Sequence, residues 1–417
     1  METRQMRSFY RRLPEEVRRC LRPLNLVDEL ASHLPAGARP RVQGTTEGFR
    51  RLGRLARVRY PLRRLEGTGR GAEHLVCLLA TDELSARYWT TTLFADTPRE
   101  TIAGEIPALG VVAAARRFAG DADFSLWQAP WPVYAFARGP RVPSWLPLWL
   151  ATDRPFDDVI AGDRSGRAAR KNDVRRVQRL GLTVRLATDA EAYDAFRRDL
   201  YEPYVRQRFG DLLVALPRHA FQHARRNGWL LLVEQDGRRV GGALIERWGP
   251  NPRVLVFGVE TNGPTPAGVL LEACYYHAIR FAVEHGFPRL SLGTCRPVLT
   301  DGVLRYKRKW GGTIGRPATW DAFLLRYRNT PAVRKLLTDV PLVLDRGRRG
   351  LAALVGAAGE AANDPVGHVR RLEAPGLAEV ACLVEGAVTV APEAGTRHAP
   401  LRVVPPGEVW PSETAAA

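Results

Sequence analysis

Across residues 182–326 the apolar positions switch repeatedly between a period of two and a period near 3.6, the signatures of strands and helices. Strand 182–187 (LTVRLA) leads to a helix over 189–207, and a second helix lies near 217–227. Strands 229–235 and 239–247 meet across Asp236-Gly237, a dipeptide that accepts the positive φ of a tight hairpin. Strand 253–260, helix 267–285, strand 288–293, a short helix over 302–310 and strand 318–326 follow. Upstream, a basic helix fills 165–181 and stops at Gly181.

The flanks are less regular. Residues 1–35 carry Leu, Val and Arg at helical spacing. The β-branched, aromatic and apolar content of 74–80 (HLVCLLA) and 86–94 (ARYWTTTLF) predicts strands. A helix opened by Pro107 spans 107–118, and apolar strands lie near 123–129 and 144–151. Past 331 the pattern predicts a helix to 362, and the Pro-, Ala- and Glu-rich stretch from Pro392 reads as loose. A chain of 417 residues exceeds one ordinary domain. The expected division is a helical extension over 1–44, a first α+β unit over 45–160, a second over 161–330, and a helical segment with a loose tail over 331–417.

Composition narrows the setting. Hydrophobic residues at 45% and charged residues at 25% are ordinary for globular proteins, so a core is affordable. The formal charge of +18 suits a polyanionic partner, such as a phosphorylated cofactor, nucleic acid or an acidic membrane surface. It equally suits compositional drift, because 58 of the 62 basic residues are Arg. Five scattered Cys with no CxxC argue for a reducing compartment, and eight His without ligand spacing argue against a metal site. With no signal-like or membrane-spanning apolar run, the expected location is the cytoplasm.

Three motifs carry a family resemblance. They are Arg167-Ala-Ala-Arg170-Lys171-Asn-Asp-Val-Arg175-Arg176-Val-Gln-Arg179, then Ala278–Gly286 leading to Leu290-Ser-Leu-Gly293, then Asp301-Gly302-Val-Leu-Arg305-Tyr306-Lys307-Arg308-Lys309-Trp310-Gly311-Gly312. Their order, within the element order above, resembles the second unit of FemABX-like proteins of the GNAT acyltransferase superfamily. The resemblance covers roughly 160–326 and implies an α+β fold of two GNAT-like units with mixed, mostly antiparallel sheets flanked by helices. It also implies an N-acyltransferase that moves an acyl group from a phosphate-bearing donor, such as acyl-CoA or another acyl thioester, to an amine. Aminoacyl-tRNA is an alternative donor. A non-catalytic GNAT-like module that binds nucleic acid or an anionic surface is a further alternative.

The candidate site follows. Lys307, Tyr306 and Arg305 stand on the short helix where such folds build their site, and Lys171 and Arg175 on the basic helix could also contact donor phosphates. Three of the chain's four lysines fall in these two basic motifs, which suggests a compact ammonium is wanted there. Glu260 and Asp301 are candidate general bases for removing the amine proton, with Glu246 more distant. Cys295 is a conceivable acyl carrier but lacks an evident His partner. The segment Glu260-Thr-Asn-Gly263-Pro-Thr-Pro-Ala-Gly268 has glycines ahead of the long helix. Its prolines remove amides that would cradle a pyrophosphate, which counts against acetyl-CoA.

Overall fold

The computed structural model describes residues 57–404 apart from 119, 135–136, 138, 162–166, 211–215, 217, 318–320, 373 and 386–398. The helix expected over 1–35 and most of the loose tail lie outside the described residues.

The first half supplies β1 (Arg59–Thr68), β2 (His74–Ala80), β3 (Arg99–Pro107), β4 (Phe124–Pro130), β5 (Arg141–Pro143) and β6 (Leu146–Ala151). After the basic helix Arg167–Arg179 come β7 (Thr183–Ala187), β8 (Gly228–Gln235), β9 (Arg238–Trp248) and β10 (Asn251–Val259). The long helix Ala267–Glu284 then leads to β11 (Arg289–Cys295), the helix Gly302–Lys309, β12 (Thr313–Ile314) and β13 (Asp321–Tyr327). The C-terminal segment adds β14 (Leu342–Asp345), β15 (Leu351–Gly356), β16 (Leu377–Leu383) and β17 (Leu401–Val404).

These strands form two sheets. One has ten strands in the order β17-β16-β15-β14-β5-β13-β4-β2-β1-β3, and the other has seven in the order β12-β6-β11-β10-β9-β8-β7. Both are mixed and mostly antiparallel, as expected. Two strands cross between halves: β6 pairs antiparallel with β11, and β13 pairs antiparallel with β4. The centres of the two sheets therefore match. Each has a parallel pair, β2–β4 or β10–β11, then a strand from the other half, then a short strand, β5 or β12. Neither sheet is complete without the other half of the chain.

Several sequence expectations are corrected. Residues 86–94, expected as a strand, lie in the helix Glu83–Leu93 apart from Phe94 at its C-cap. Asp82 accepts a hydrogen bond from the Ser85 amide, and Ser85, Ala86, Trp89 and Leu93 bury one helical face. That face outweighs the β-preference of the exposed or half-exposed threonines. The helix expected over 331–362 ends at Asp339. Pro341 stops it, and the apolar runs beyond it, such as LAALVG in β15, are buried at every position.

The core of the seven-stranded sheet is packed on the long helix, of which thirteen of eighteen residues are buried. Gly258 and Gly242 face the π-helical turn Phe196–Tyr201. A Cβ on Gly258 would lie 2.7 Å from the Tyr201 amide nitrogen, so glycine permits this close approach.

Candidate active site

The centre of the seven-stranded sheet is open. Parallel strands β10 and β11 pair at one register position only, Arg253 with Ser291, and then part. On the other edge of β10 the ladder to β9 is interrupted by a register shift between Val254 and Val256, which leaves Leu255 in a bulge. Leu255, Val256 and Phe257 stay only half-buried although they belong to a central strand. Such a notch presents unpaired strand-edge amides and carbonyls to whatever enters it.

Lys307 stands at the vertex. It is 6% exposed, and its Nζ donates to the Thr294 carbonyl at 2.8 Å. Gly293, just past the last paired residue, has φ +77°. A Cβ there would lie 3.1 Å from the Val254 carbonyl oxygen and 3.4 Å from Lys307 Nζ. Glycine at 293 thus leaves room between the strands for the ammonium. Burial pulls the Lys307 pKa down to about 8, partly offset by Cys295 and Asp301. Near neutral pH this ammonium can donate hydrogen bonds and can also give up its proton.

One wall beside the notch is aromatic. Phe257 stacks on Tyr275 at 4.3 Å between centroids, and Tyr275 meets Tyr306 edge-on at 5.2 Å and stacks on Trp310 at 5.7 Å. Tyr306 is therefore a packing residue of this wall, and burial raises its pKa. Cys295 is buried and its thiol is pushed up to about 12 by desolvation, so it is a poor nucleophile at neutral pH.

The remaining sequence candidates are dispersed. Asp301 caps the Lys307 helix, its Oδ1 accepting from the Leu304 amide at 2.9 Å. Arg305 is exposed on that helix. Glu260 follows β10 directly, with Oε1 bound to Arg238 at 2.5 Å and Oε2 tucked against Gly263. Six residues of strand, 254–259, lie between Arg253 and Glu260, on the order of 20 Å at about 3.3 Å per residue. Glu260 thus stands at the far end of β10 from its one pairing with β11. Glu246 is also engaged, with Arg253 at 2.6 Å.

The basic helix divides by face. Arg170 is fully buried and donates to three carbonyls, those of Ile160 (3.1 Å), Ala161 (3.1 Å) and Lys309 (2.6 Å). It fastens the basic helix to the end of the Lys307 helix. Buried Asp173 pairs with Lys309 and with Arg176, which also reaches Glu272 on the long helix. Lys171 and Arg175, four residues apart, are exposed, roughly opposite this packed face on the helical wheel. Sequence reasoning weighed the basic run as a binding stripe and missed that Arg170 is a fastener. It also passed over Gly293 as a structural requirement, although the glycine directly after an apolar strand was the available signal.

Residues 164–308 match the family described as acetyltransferase (GNAT) domain. That span is similar to a GNAT acetyltransferase domain. Its element order, bulged β10 and parting β10–β11 pair all lie within or beside the matched span. No curated protein matches the chain significantly. Among solved structures, FemX is 13% identical, covering 64% of this chain and 88% of its own with a TM-score of 0.35. L-PGS from Bacillus licheniformis is 11% identical, covering 64% and 84% with a TM-score of 0.33. A GCN5-related N-acetyltransferase from Sphaerobacter thermophilus is 14% identical, covering 45% and 52% with a TM-score of 0.24. Likenesses this distant decide nothing further about the GNAT domain. No helix among its described residues, or elsewhere in the described chain, is long and apolar enough to cross a membrane.

Proposed function

We propose that the protein is an N-acyltransferase that takes its acyl group from a thioester donor and passes it to an amine. The observation that carries this reading is the single pairing between β10 and β11, with Lys307 at the vertex. The donor's acyl end enters the notch, and unpaired amides of β10 polarise its carbonyl. The amine nitrogen attacks that carbon, and the new C–N bond forms as the C–S bond breaks. The thiolate leaves and is protonated through water, by the proton that the amine first gives to Asp301. Lys307, partly protonated near pH 8, donates to the developing oxyanion or the departing sulfur rather than to a distal phosphate. Asp301, whose place on the helix is nearer the vertex than Glu260, accepts the amine proton. Arg305, on the open side of the same helix, is left to meet donor phosphate.

A second donor is favoured by one observation. Lys171 and Arg175 form an exposed basic stripe with no ion pair among the described residues. That stripe suits the backbone of a charged tRNA.

The test is thiol release from acetyl-CoA and longer acyl thioesters with a primary amine present, run beside aminoacyl-tRNA. Amine-dependent thiol release supports the thioester reading. Transfer from aminoacyl-tRNA alone replaces it with the second donor. No transfer from either removes the proposal.

A further inference from the structure

A cleft of about 450 Å3 opens where the two halves of the chain meet. The first half contributes Arg70, Tyr88, Thr91 and Thr92, and the far side contributes Asp301 and Asp339. The volume lies in the range that holds small-molecule ligands. Its charges are of both signs. The Arg70 guanidinium spends one N–H on the Thr91 carbonyl at 2.9 Å and makes no ion pair among the described residues. Asp301 uses Oδ1 to cap its helix, and no hydrogen bond or ion pair among the described residues engages Oδ2. Burial raises the Asp339 pKa, and His368 and Arg70 offset this only from a distance. Behind Tyr88, Arg296 lies over its ring at 4.4 Å and over Trp145 at 4.0 Å, which fixes the cleft wall.

A purely cationic ligand would face Arg70, and a purely anionic one would face two carboxylates. A ligand with both charges meets a partner for each. We propose that this cleft receives the acyl acceptor and selects an amine that also bears a carboxylate, its ammonium towards Asp301 and its carboxylate towards Arg70. This rests on the transferase reading above. Asp301 begins the helix that holds Lys307, so the acceptor enters from the N-terminal end of that helix while the donor lies in the notch.

The test uses three probes on the full chain without donor: alanyl-alanine, its C-terminal amide, and its N-acetyl form. Binding is read by saturation-transfer NMR. The dipeptide is expected to bind at least about tenfold tighter than either blocked form, the loss of one charge-assisted contact each. Arg70→Gln should erase the preference over the amide. Asp301→Asn, which keeps the helix cap, should erase the preference over the N-acetyl form. Equal binding of dipeptide and amide, preferences unmoved by both substitutions, or no binding of any probe overturns the proposal. Because no donor is present, a failed transferase reading leaves this result standing. Conversely, rapid transfer to amines that lack a carboxylate would sink the acceptor claim alone.

Discussion

The two central strand pairs of this molecule share a topology and differ in one respect. In the ten-stranded sheet, β2 and β4 are zipped over four positions, from Cys77 with Phe124 to Ala80 with Trp127. Where they would part, the Gln128 side chain closes the gap. Its Oε1 accepts from the Thr81 hydroxyl at 2.5 Å and the Asp82 amide at 3.0 Å, and its Nε2 donates to Asp321 at 2.7 Å. Every residue of β4 is buried. In the seven-stranded sheet, β10 and β11 pair once, Gly293 stands where a side chain could fill the gap, and a lysine occupies the space. One pair spends its backbone groups on the protein and the other leaves them unpaired in the notch. The comparison teaches that one strand order can end closed or open according to the side chains at the parting point.

Substituting at the open vertex should have the largest effect. Lys307→Met is expected to cost roughly 100-fold or more in kcat/KM, the scale of losing one transition-state donor. It should leave the fold intact at pH 7, because a methionine fills the volume without a buried charge. Titration gives the sign. The folded-state pKa of about 8 lies below the ordinary lysine value of 10.5, so the unfolded chain binds more protons between them. Wild-type stability relative to the variant should therefore rise from pH 8 to pH 10.5, by on the order of 3 kcal/mol. Chemical unfolding of both proteins across that range checks it, and a flat difference would place Lys307 in a wetter site.

At the closed pair the expectation reverses. Gln128→Ala strands the Thr81 hydroxyl and the Asp82 amide, and should cost about 2 kcal/mol of stability. Transfer activity of the remaining folded protein should not change. If donor affinity falls as well, the zipped pair is part of the site and the contrast breaks.

The smallest effect belongs to the outer stripe. Lys171→Ala with Arg175→Ala should move stability by less than about 0.5 kcal/mol, and thioester-dependent transfer should persist. With an RNA donor, the same pair should lower the slope of log affinity against log salt by about 2. Filter binding over a salt series separates the two outcomes.

Much of the second unit was legible because its signals are local. The Asp236-Gly237 turn does carry the β8–β9 hairpin, with Asp236 at φ 52° and Gly237 at φ 76°. The long helix and the Asp301 cap follow equally from short-range spacing. Residues 86–94 misled because threonine and tyrosine favour strands in isolation, while burial of Trp89 and Leu93 decides for a helix. The site was legible in part. Lys307 was singled out by residue type, but its role as a buried vertex group depends on the approach of Gly293 and of Val254 on a separate strand, which local spacing does not reveal.

The sequence alone thus determined which segments are strands and helices in the second unit, the helix caps, and that Lys307 stands on a short capped helix, since each depends on residues within a turn or two. Only the tertiary structure decided that β6 and β13 exchange sheets, that Arg170 is a fastener while Lys171 faces solvent, and that one parallel pair closes while its counterpart stays open. These outcomes are set by contacts across tens to nearly two hundred residues, with Gln128 reaching Thr81 and Asp321 at one gap and Gly293 leaving room for Lys307 at the other. Local spacing carries no information about which distant strand will arrive to fill a gap.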